Sequence, residues 1–213
     1  MSRKLLIRSN FLPYHVTARS NNRESFPLPP EQTWEIISNE CYAISAVREA
    51  EIQALVLMPN HFHMIITVPA FDLGKIMQGF ISNISRTVNR NSGRSGHVFG
   101  GPYHCSLINS GLYYSTALKY VYRNPVRANL VERAEDFKYS TLHGILGKSH
   151  LPFPIYYPRE AFFNVPDEPE TMLSWINTPF TKEAQEAIQK GFRRRLFRLP
   201  IDRKTRVPIS LLN

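Results

Sequence analysis

The sequence has few of the features that would cross-link a chain or anchor it to a membrane. Its two cysteines, Cys41 and Cys105, lie in neither a CxxC pair nor a Cys/His cluster, so no disulfide framework or closed zinc module is predicted. No apolar run is long enough for a signal-peptide core or a membrane-spanning helix, and no GxxxxGK[ST] phosphate loop is present. We therefore expect a cytoplasmic protein without a membrane-spanning segment, with 43% hydrophobic residues to build its core.

Acidic residues are also in short supply. The chain has 17 Asp and Glu against 26 Lys and Arg, a net charge of +9. Residues 181–213 carry nine basic and three acidic residues, which is two-thirds of the excess. This charge suits a polyanionic partner. By itself it does not distinguish binding to nucleic acid from binding to a membrane surface, or either of these from a basic protein without such a partner.

The pattern of apolar residues predicts an alternation of strands and helices. In chain order we expect a strand over Phe11–Arg19, a helix over Glu31–Arg48, a hairpin turning at Pro59 and Asn60, a helix over Leu73–Asn91, a strand within 97–109, and a helix over Ser115–Arg123 that stops before Pro125. Helices segregated against an antiparallel sheet indicate an α+β fold of ferredoxin-like kind. We place one domain over 1–150, followed over 151–213 by an irregular proline-rich segment, an exposed basic helix running through 193–195, and a basic tail.

The stretch MPNHFHMIITVP places two histidines on the second strand of the hairpin. Residues two apart on a strand share a face, so His61 and His63 project together while Phe62 turns to the core. Two imidazoles on one strand are a common beginning of a divalent-metal site, with further ligands from elsewhere. The alternative is a pair of ordinary strand residues.

The helix STALKYVYRNPVRANL offers groups that would complete such a site. Tyr120 and Asn124 are four residues apart and share a helix face, whereas Tyr122 lies about 200° away from Tyr120. An amide oxygen suits Mg²⁺ or Mn²⁺, and a tyrosine beside a metal-polarised phosphate is a sensible nucleophile. Tyr120 is otherwise an ordinary core aromatic of a helix.

Several ordered motifs together resemble a known family. YHVTARSNNRE, MPNHFHMIITVP, GGPYHCSLIN and LKYVYRNPVRANLVERAEDFKYSTLHG are similar to segments of the single-tyrosine transposases of the HUH class, and within it to the REP-associated tyrosine transposases. The resemblance runs from about Pro13 to Gly147. It implies the HUH endonuclease fold, with His61, His63 and Asn124 as ligands of Mg²⁺ or Mn²⁺ and Tyr120 as the catalytic nucleophile.

The resemblance also implies an activity. Family members cleave and rejoin single-stranded DNA beside imperfect hairpins through a 5′-phosphotyrosine, in DNA transposition. A protein of this kind would bind single-stranded DNA with an inverted repeat, would associate with the nucleoid, and would act as a monomer or a homodimer. Two alternatives remain open at this point: a domesticated regulator that binds DNA hairpins without cleaving them, and a small-molecule metalloenzyme.

Basic and aromatic residues outside the motifs are candidates for DNA contact. Phosphate-binding candidates are Arg86, Arg90, Arg94, Arg123, Arg127, Arg193, Arg194 and Arg195, and base-stacking candidates are Phe99, Tyr103 and His104. The alternatives are solvated charges for the arginines and core packing for the aromatics. The sequence departs from the family pattern at Pro102, where a basic residue is expected.

Overall fold

The architecture comes from a computed structural model that describes residues 6–70, 72–157 and 165–201. The strands are β1 (Tyr14–Arg19), β2 (Glu51–Met58), β3 (His61–Thr67) and β4 (His104–Leu107). The helices are α1 (Pro30–Arg48), α2 (Leu73–Ser92), α3 (Gly111–Arg127), α4 (Thr141–Ile145), α5 (Pro169–Asn177) and α6 (Lys182–Phe192), with 3₁₀ turns at Asn21–Arg23 and Ala134–Asp136. The predicted order of strands and helices through α3 is confirmed.

The four strands form an antiparallel sheet in the order β2-β3-β1-β4. This order places the two strands joined by α1 on either side of β3, and the two joined by α2 on either side of β1. Such an arrangement is the ferredoxin-like topology, so the predicted fold class is confirmed. The central pairing sets Thr17 of β1 opposite His63 of β3, and Arg19 opposite His61.

Alternation along the strands divides the sheet into two differently used faces. Val16, Phe62 and Met64 face α1 and α2 and are completely buried there. On the opposite face Ala54, Val56 and Ile65 pack against α3 and α6. The histidines of β1 and β3 lie on this second face, and the helix that carries Tyr120 lies over it.

The helix α3 does not stop before Pro125 as predicted, but continues to Arg127. Proline removes one helical hydrogen bond and leaves a carbonyl without its donor. That carbonyl belongs to Val121, four residues before the proline, and Nδ2 of Asn124 reaches it at 3.4 Å while it also donates to the carbonyl of Tyr120 at 2.9 Å. The local rule for proline therefore fails here because a neighbouring side chain satisfies the backbone.

Both edges of the sheet are covered by later parts of the chain. At β2, Leu57 N–H donates to the carbonyl of Tyr139 at 2.9 Å. At β4, Leu107 N–H donates to the carbonyl of Arg195 at 2.7 Å and its carbonyl accepts from Phe197 at 2.8 Å. These contacts block the unpaired strand edges, which otherwise attract other chains.

The C-terminal region differs from the exposed helix that we predicted. The helix α6 ends at Phe192, before the three arginines, and it buries Ile188 and Phe192 in the same core as α3. Phe197 behind it is also completely buried. The prediction was made from the basic composition of the segment, whereas α6 is an amphipathic helix whose apolar side is buried. The tail from 202 onward lies outside the described residues. Among the helices that are described, none combines the length and apolarity needed to cross a membrane.

Candidate active site

Two histidines of β3 face the space beneath α3. Phe62 between them is buried on the other face, and the rings of His61 and His63 meet edge to face with centroids 4.9 Å apart. Burial lowers the pKa of His61 to about 4, assisted by the charges of Arg19 and Arg127. Burial also lowers the pKa of His63 well below its usual value. Both imidazoles are therefore neutral at neutral pH and carry a lone pair that can bind a metal.

Hydrogen bonds orient the ring of His61. Its Nδ1 lies 2.7 Å from Oδ1 of Asn60, and the amide of Asn60 is itself oriented because its Nδ2 donates to the carbonyl of Arg23 at 2.6 Å. The oxygen of Asn60 can only accept, so Nδ1 of His61 carries the proton and Nε2 is left with its lone pair. This is the tautomer that metal binding through Nε2 requires.

Tyr120 lies beside this pair on α3. Its ring meets that of His63 edge to face with centroids 5.7 Å apart, and it packs against Phe192 at 5.0 Å. Burial raises the pKa of its hydroxyl, while the charges of Arg127, Arg19 and Arg193 oppose the rise. Three guanidinium groups thus favour negative charge near a buried phenol.

Tyr122, two residues further on, faces elsewhere, as the helical period predicts. Its hydroxyl is hydrogen-bonded to that of Thr141 at 3.2 Å, under the edge of β2. Burial raises its pKa beyond the ordinary range. Of these two tyrosines, Tyr120 is the one that lines the cavity beside the histidines.

Asn124 lies one turn after Tyr120 and is 1% exposed. Its amide nitrogen serves the backbone of α3, and its Oδ1 accepts a hydrogen bond from Arg127 at 3.1 Å. Among the described residues it is not one of those that line the cavity. Its oxygen is thus held by Arg127, below the surface on which Tyr120 and the histidines lie.

The cavity has a volume of about 960 Å³ and a strongly basic wall. Its lining includes the guanidinium groups of Arg19, Arg23, Arg127 and Arg193 and the imidazoles of His15, His61, His63 and His104, and no Asp or Glu among the described residues lines it. Asn21, Asn22 and Gln189 add amide groups. A wall of this composition suits a phosphate-bearing polyanion.

The lack of carboxylates among the described lining residues also limits which metal this part of the chain can hold by itself. Within the described residues no group of three or more His, Cys, Asp or Glu side chains is placed to bind a metal ion. The donor set consists of two neutral imidazoles on a surface open to the cavity. Such a set fits a divalent ion whose remaining ligands come from an amide oxygen, water or phosphate.

The predicted DNA-contact residues fall into several environments. Arg127 and Arg193 line the cavity, and Arg194 and Arg195 are exposed beyond it. Arg86 and Arg90 are exposed on α2, across the sheet from the histidines, and Arg94 is exposed in the loop after α2, where it borders a small cleft next to Asn21 and Asn22.

Three other residues predicted to contact DNA make contacts within the protein. Arg123 donates to the carbonyls of Ile176 and Asn177 at the end of α5. Tyr103 is half-buried against the core under α1 and α2, and Phe99 is buried in that core. His104, by contrast, is exposed on the cavity wall.

The sequence prediction missed several residues that line the cavity. His15 and Arg19 lie on β1, and Gln189 and Phe192 on α6. A signal for the β1 residues was present, since His15, Thr17 and Arg19 alternate on one face of a strand that the ferredoxin-like fold places beside β3. No comparable signal marked α6, because its contact with the cavity depends on how the C-terminal segment packs.

The fold of this chain is similar to that of a solved transposase structure. A solved structure described as the REP-associated tyrosine transposase bound to a REP hairpin superposes with a TM-score of 0.58 and 21% identity, over 78% of this chain and 99% of that one. At this identity the likeness shows a shared fold. A structure from Deinococcus radiodurans R1, provisionally assigned as a transposase, gives a TM-score of 0.39 and 14% identity over 55% of this chain and 91% of that one.

No curated protein matches the chain. The model of the family described as "Transposase IS200 like", however, matches residues 9–124, which include β1 to β4 and the helix α3 as far as Asn124. The match contains the histidine pair and the tyrosine, and it covers more than half of the sequence. The resemblance seen in the motifs is thereby confirmed, and the chain belongs to the IS200-like transposases, enzymes of DNA transposition.

Proposed function

We propose that this transposase cleaves and rejoins single-stranded DNA through a covalent bond to Tyr120, with a divalent metal ion held by the β3 histidines. The observation that carries the proposal is the placement of Tyr120 against His63, with ring centroids 5.7 Å apart, in a basic cavity whose described lining has no carboxylate. A tyrosine, two neutral imidazoles and several guanidinium groups are the components of phosphoryl transfer to a phenol.

His61 and His63 would hold the metal, Mg²⁺ or Mn²⁺, through their Nε2 atoms. Asn124 is the proposed third ligand. Its Oδ1 accepts a hydrogen bond from Arg127 in this structure, and that bond would have to break before Oδ1 could bind the metal. The bound ion would polarise a phosphate oxygen of the DNA and stabilise the charge that develops there.

The chain's own residues would carry out the bond exchange. The Tyr120 oxygen forms a bond to phosphorus, the bond from phosphorus to the 3′ oxygen breaks, and that oxygen takes a proton to become a free 3′-hydroxyl. The phenolic proton leaves to the water of the cavity. Arg19, Arg127 and Arg193 favour the phenolate electrostatically. Attack by another 3′-hydroxyl reverses the exchange and rejoins strands.

We further propose that the DNA carries a hairpin. The structurally similar REP-associated transposase is described as bound to a REP hairpin. In this chain the basic wall of the cavity continues to exposed Arg194 and Arg195 at its C-terminal side. A single-stranded flank in the cavity and a duplex stem against exposed arginines would use both surfaces.

The test is covalent adduct formation with single-stranded hairpin DNA in the presence of Mn²⁺, comparing Tyr120→Phe with Tyr122→Phe. Tyr120→Phe should abolish the adduct. The Tyr120 hydroxyl makes no hydrogen bond within the described residues, so this change should alter stability by less than about 0.5 kcal/mol. Tyr122→Phe loses a buried hydrogen bond, should cost about 1 kcal/mol, and should retain the adduct. The reverse result would refute the assignment of Tyr120.

A second candidate is a protein that binds DNA hairpins without cleaving them. The observation that favours it is that Tyr120 is only 7% exposed while Arg127 occupies Oδ1 of Asn124. It predicts strong hairpin binding, unchanged in Tyr120→Phe, and no adduct with any substrate or metal. A single adduct that depends on Tyr120 excludes it.

A further inference from the structure

A third buried histidine contacts the proposed metal site. His15 of β1 is 2% exposed, and its Nε2 lies 2.9 Å from Nδ1 of His63. The ring planes are inclined by only 22° and the centroids are 5.1 Å apart. The contact is diagonal across the central strand pair, because Thr17 is the residue directly opposite His63.

The surroundings of His15 hold its ring in place. Phe192 of α6 lies against it with centroids 4.0 Å apart, and Tyr120 meets it edge to face at 6.3 Å. The backbone of His15 belongs to a strand paired on both sides, with β3 and with β4. A ring fixed by packing and by the sheet offers a hydrogen-bonding atom at a defined position, which is what orients a neighbouring ligand.

The direction of this hydrogen bond decides whether His63 can bind a metal through Nε2. If Nδ1 of His63 donates to Nε2 of His15, then Nε2 of His63 keeps its lone pair. If His15 donates instead, the neutral His63 carries its proton on Nε2 and cannot use that atom as a ligand. For His61 the corresponding choice is made by Asn60, whose oxygen can only accept.

We propose that His15 is a positioning residue that accepts the Nδ1–H of His63 and thereby sets the tautomer and ring orientation in which Nε2 of His63 binds the metal. The inference rests on the proposed function, since it presumes the metal site. His15 would then orient His63 as Asn60 orients His61, by accepting the proton on Nδ1 of the ring. A histidine buried only for packing would have no effect on metal affinity beyond its effect on folding.

Titration of the metal-free full chain with Mn²⁺, without DNA, tests this directly. His15→Phe keeps an aromatic ring against Phe192 but removes the acceptor, and should weaken Mn²⁺ binding about 10- to 100-fold. In His15→Gln a side-chain oxygen can occupy the position of the imidazole Nε2 and accept the same hydrogen bond. This variant should bind Mn²⁺ with an affinity within about threefold of the wild type. His143→Phe is the matched control, because His143 is half-buried and hydrogen-bonded to Ser149 but lies in α4, away from the cavity.

The possible results separate the two proposals. Wild-type affinity in His15→Phe, with binding abolished in His61→Ala, would overturn the role of His15 and leave the metal site standing. Absence of Mn²⁺ binding by the wild type would overturn the metal site and this inference with it. Should His15→Phe fail to fold, nitrogen NMR of the metal-free wild type decides: a proton on Nδ1 of His63 supports the inference, and one on Nε2 refutes it.

Discussion

Replacing Phe192 with alanine should destabilise the whole molecule, because this residue joins α6 to the candidate active site. Its ring lies 4.0 Å from that of His15, 4.2 Å from that of Phe197 and 5.0 Å from that of Tyr120, measured between centroids. Phenylalanine to alanine in a core costs about 3 to 5 kcal/mol. Phe192 is 9% exposed and borders a cavity that water can enter, so we expect the lower end, about 3 kcal/mol.

Unfolding by guanidinium chloride, followed by circular dichroism, measures this loss. For a chain of this size about 3 kcal/mol corresponds to a fall in Tm of about 6 to 12 °C. Phe192→Leu keeps part of the buried area and should lose about 1 kcal/mol. Arg194, an exposed arginine two residues after Phe192, is the surface control, and Arg194→Ala should stay within about 0.5 kcal/mol of the wild type.

The result that would refute this reasoning is a loss below about 1 kcal/mol for Phe192→Ala, with the slope of the unfolding transition unchanged. It would mean that the end of α6 is not packed against β1 and α3 in solution. The C-terminal region would then be a separate appendage, and Arg193 would have no fixed place near Tyr120.

Three further predictions concern glycine, charge and pH. Gly79→Ala should stabilise the protein by about 0.5 to 1 kcal/mol, because a Cβ there meets nothing within 4 Å. Gly191→Ala should destabilise the protein by about 1 to 3 kcal/mol, because its Cβ would lie 2.8 Å from the ring of Phe197. The urea midpoints of the two variants should therefore move in opposite directions. Arg123→Ala should lower stability without changing DNA affinity, because its guanidinium is bound to α5. Arg193→Ala should weaken binding of single-stranded DNA and reduce the slope of log K against log salt by about 0.7, because Arg193 lines the cavity. Equal salt slopes for the two variants would contradict the placement of these residues. Burial lowers the pKa values of the three buried histidines of the cavity, to about 3 and about 4 for two of them, so below pH 6.5 the unfolded metal-free chain takes up protons that the folded chain does not. Stability should therefore be complete above that pH and should fall as the pH drops toward 4, by at most about 1.4 kcal/mol per pH unit for each histidine; substituting one of them should make urea-derived stability less steep with pH, and an unchanged slope would refute their neutrality.

Local patterns predicted most of the central fold. The apolar period distinguished α1 and α2 from the hairpin of β2 and β3, because each element buries one side and its spacing records which side. The same logic put His61 and His63 on one face and separated Tyr120 from Tyr122, as the structure shows. These features depend on residues within about four positions of one another along the chain.

Other features depended on contacts that local spacing does not record. The helix α3 passes through Pro125 because Asn124 satisfies the backbone, although a proline normally ends a helix. The same amide is the predicted third metal ligand, and that role stays a prediction. The guanidinium of Arg123 donates to carbonyls at the end of α5, more than fifty residues later in the chain, while its predicted contact with DNA stays a prediction.

By itself, the sequence determined the order of strands and helices through α3, the histidine pair, the tyrosine and the basic charge, because periodicity and residue type are properties of short segments. Only the tertiary structure decided that His15 contacts His63, that Arg19 and Arg193 lie near Tyr120, and that Phe192 covers the site. Those contacts follow from strand register and from the docking of α6, which are set by packing between segments far apart in the chain.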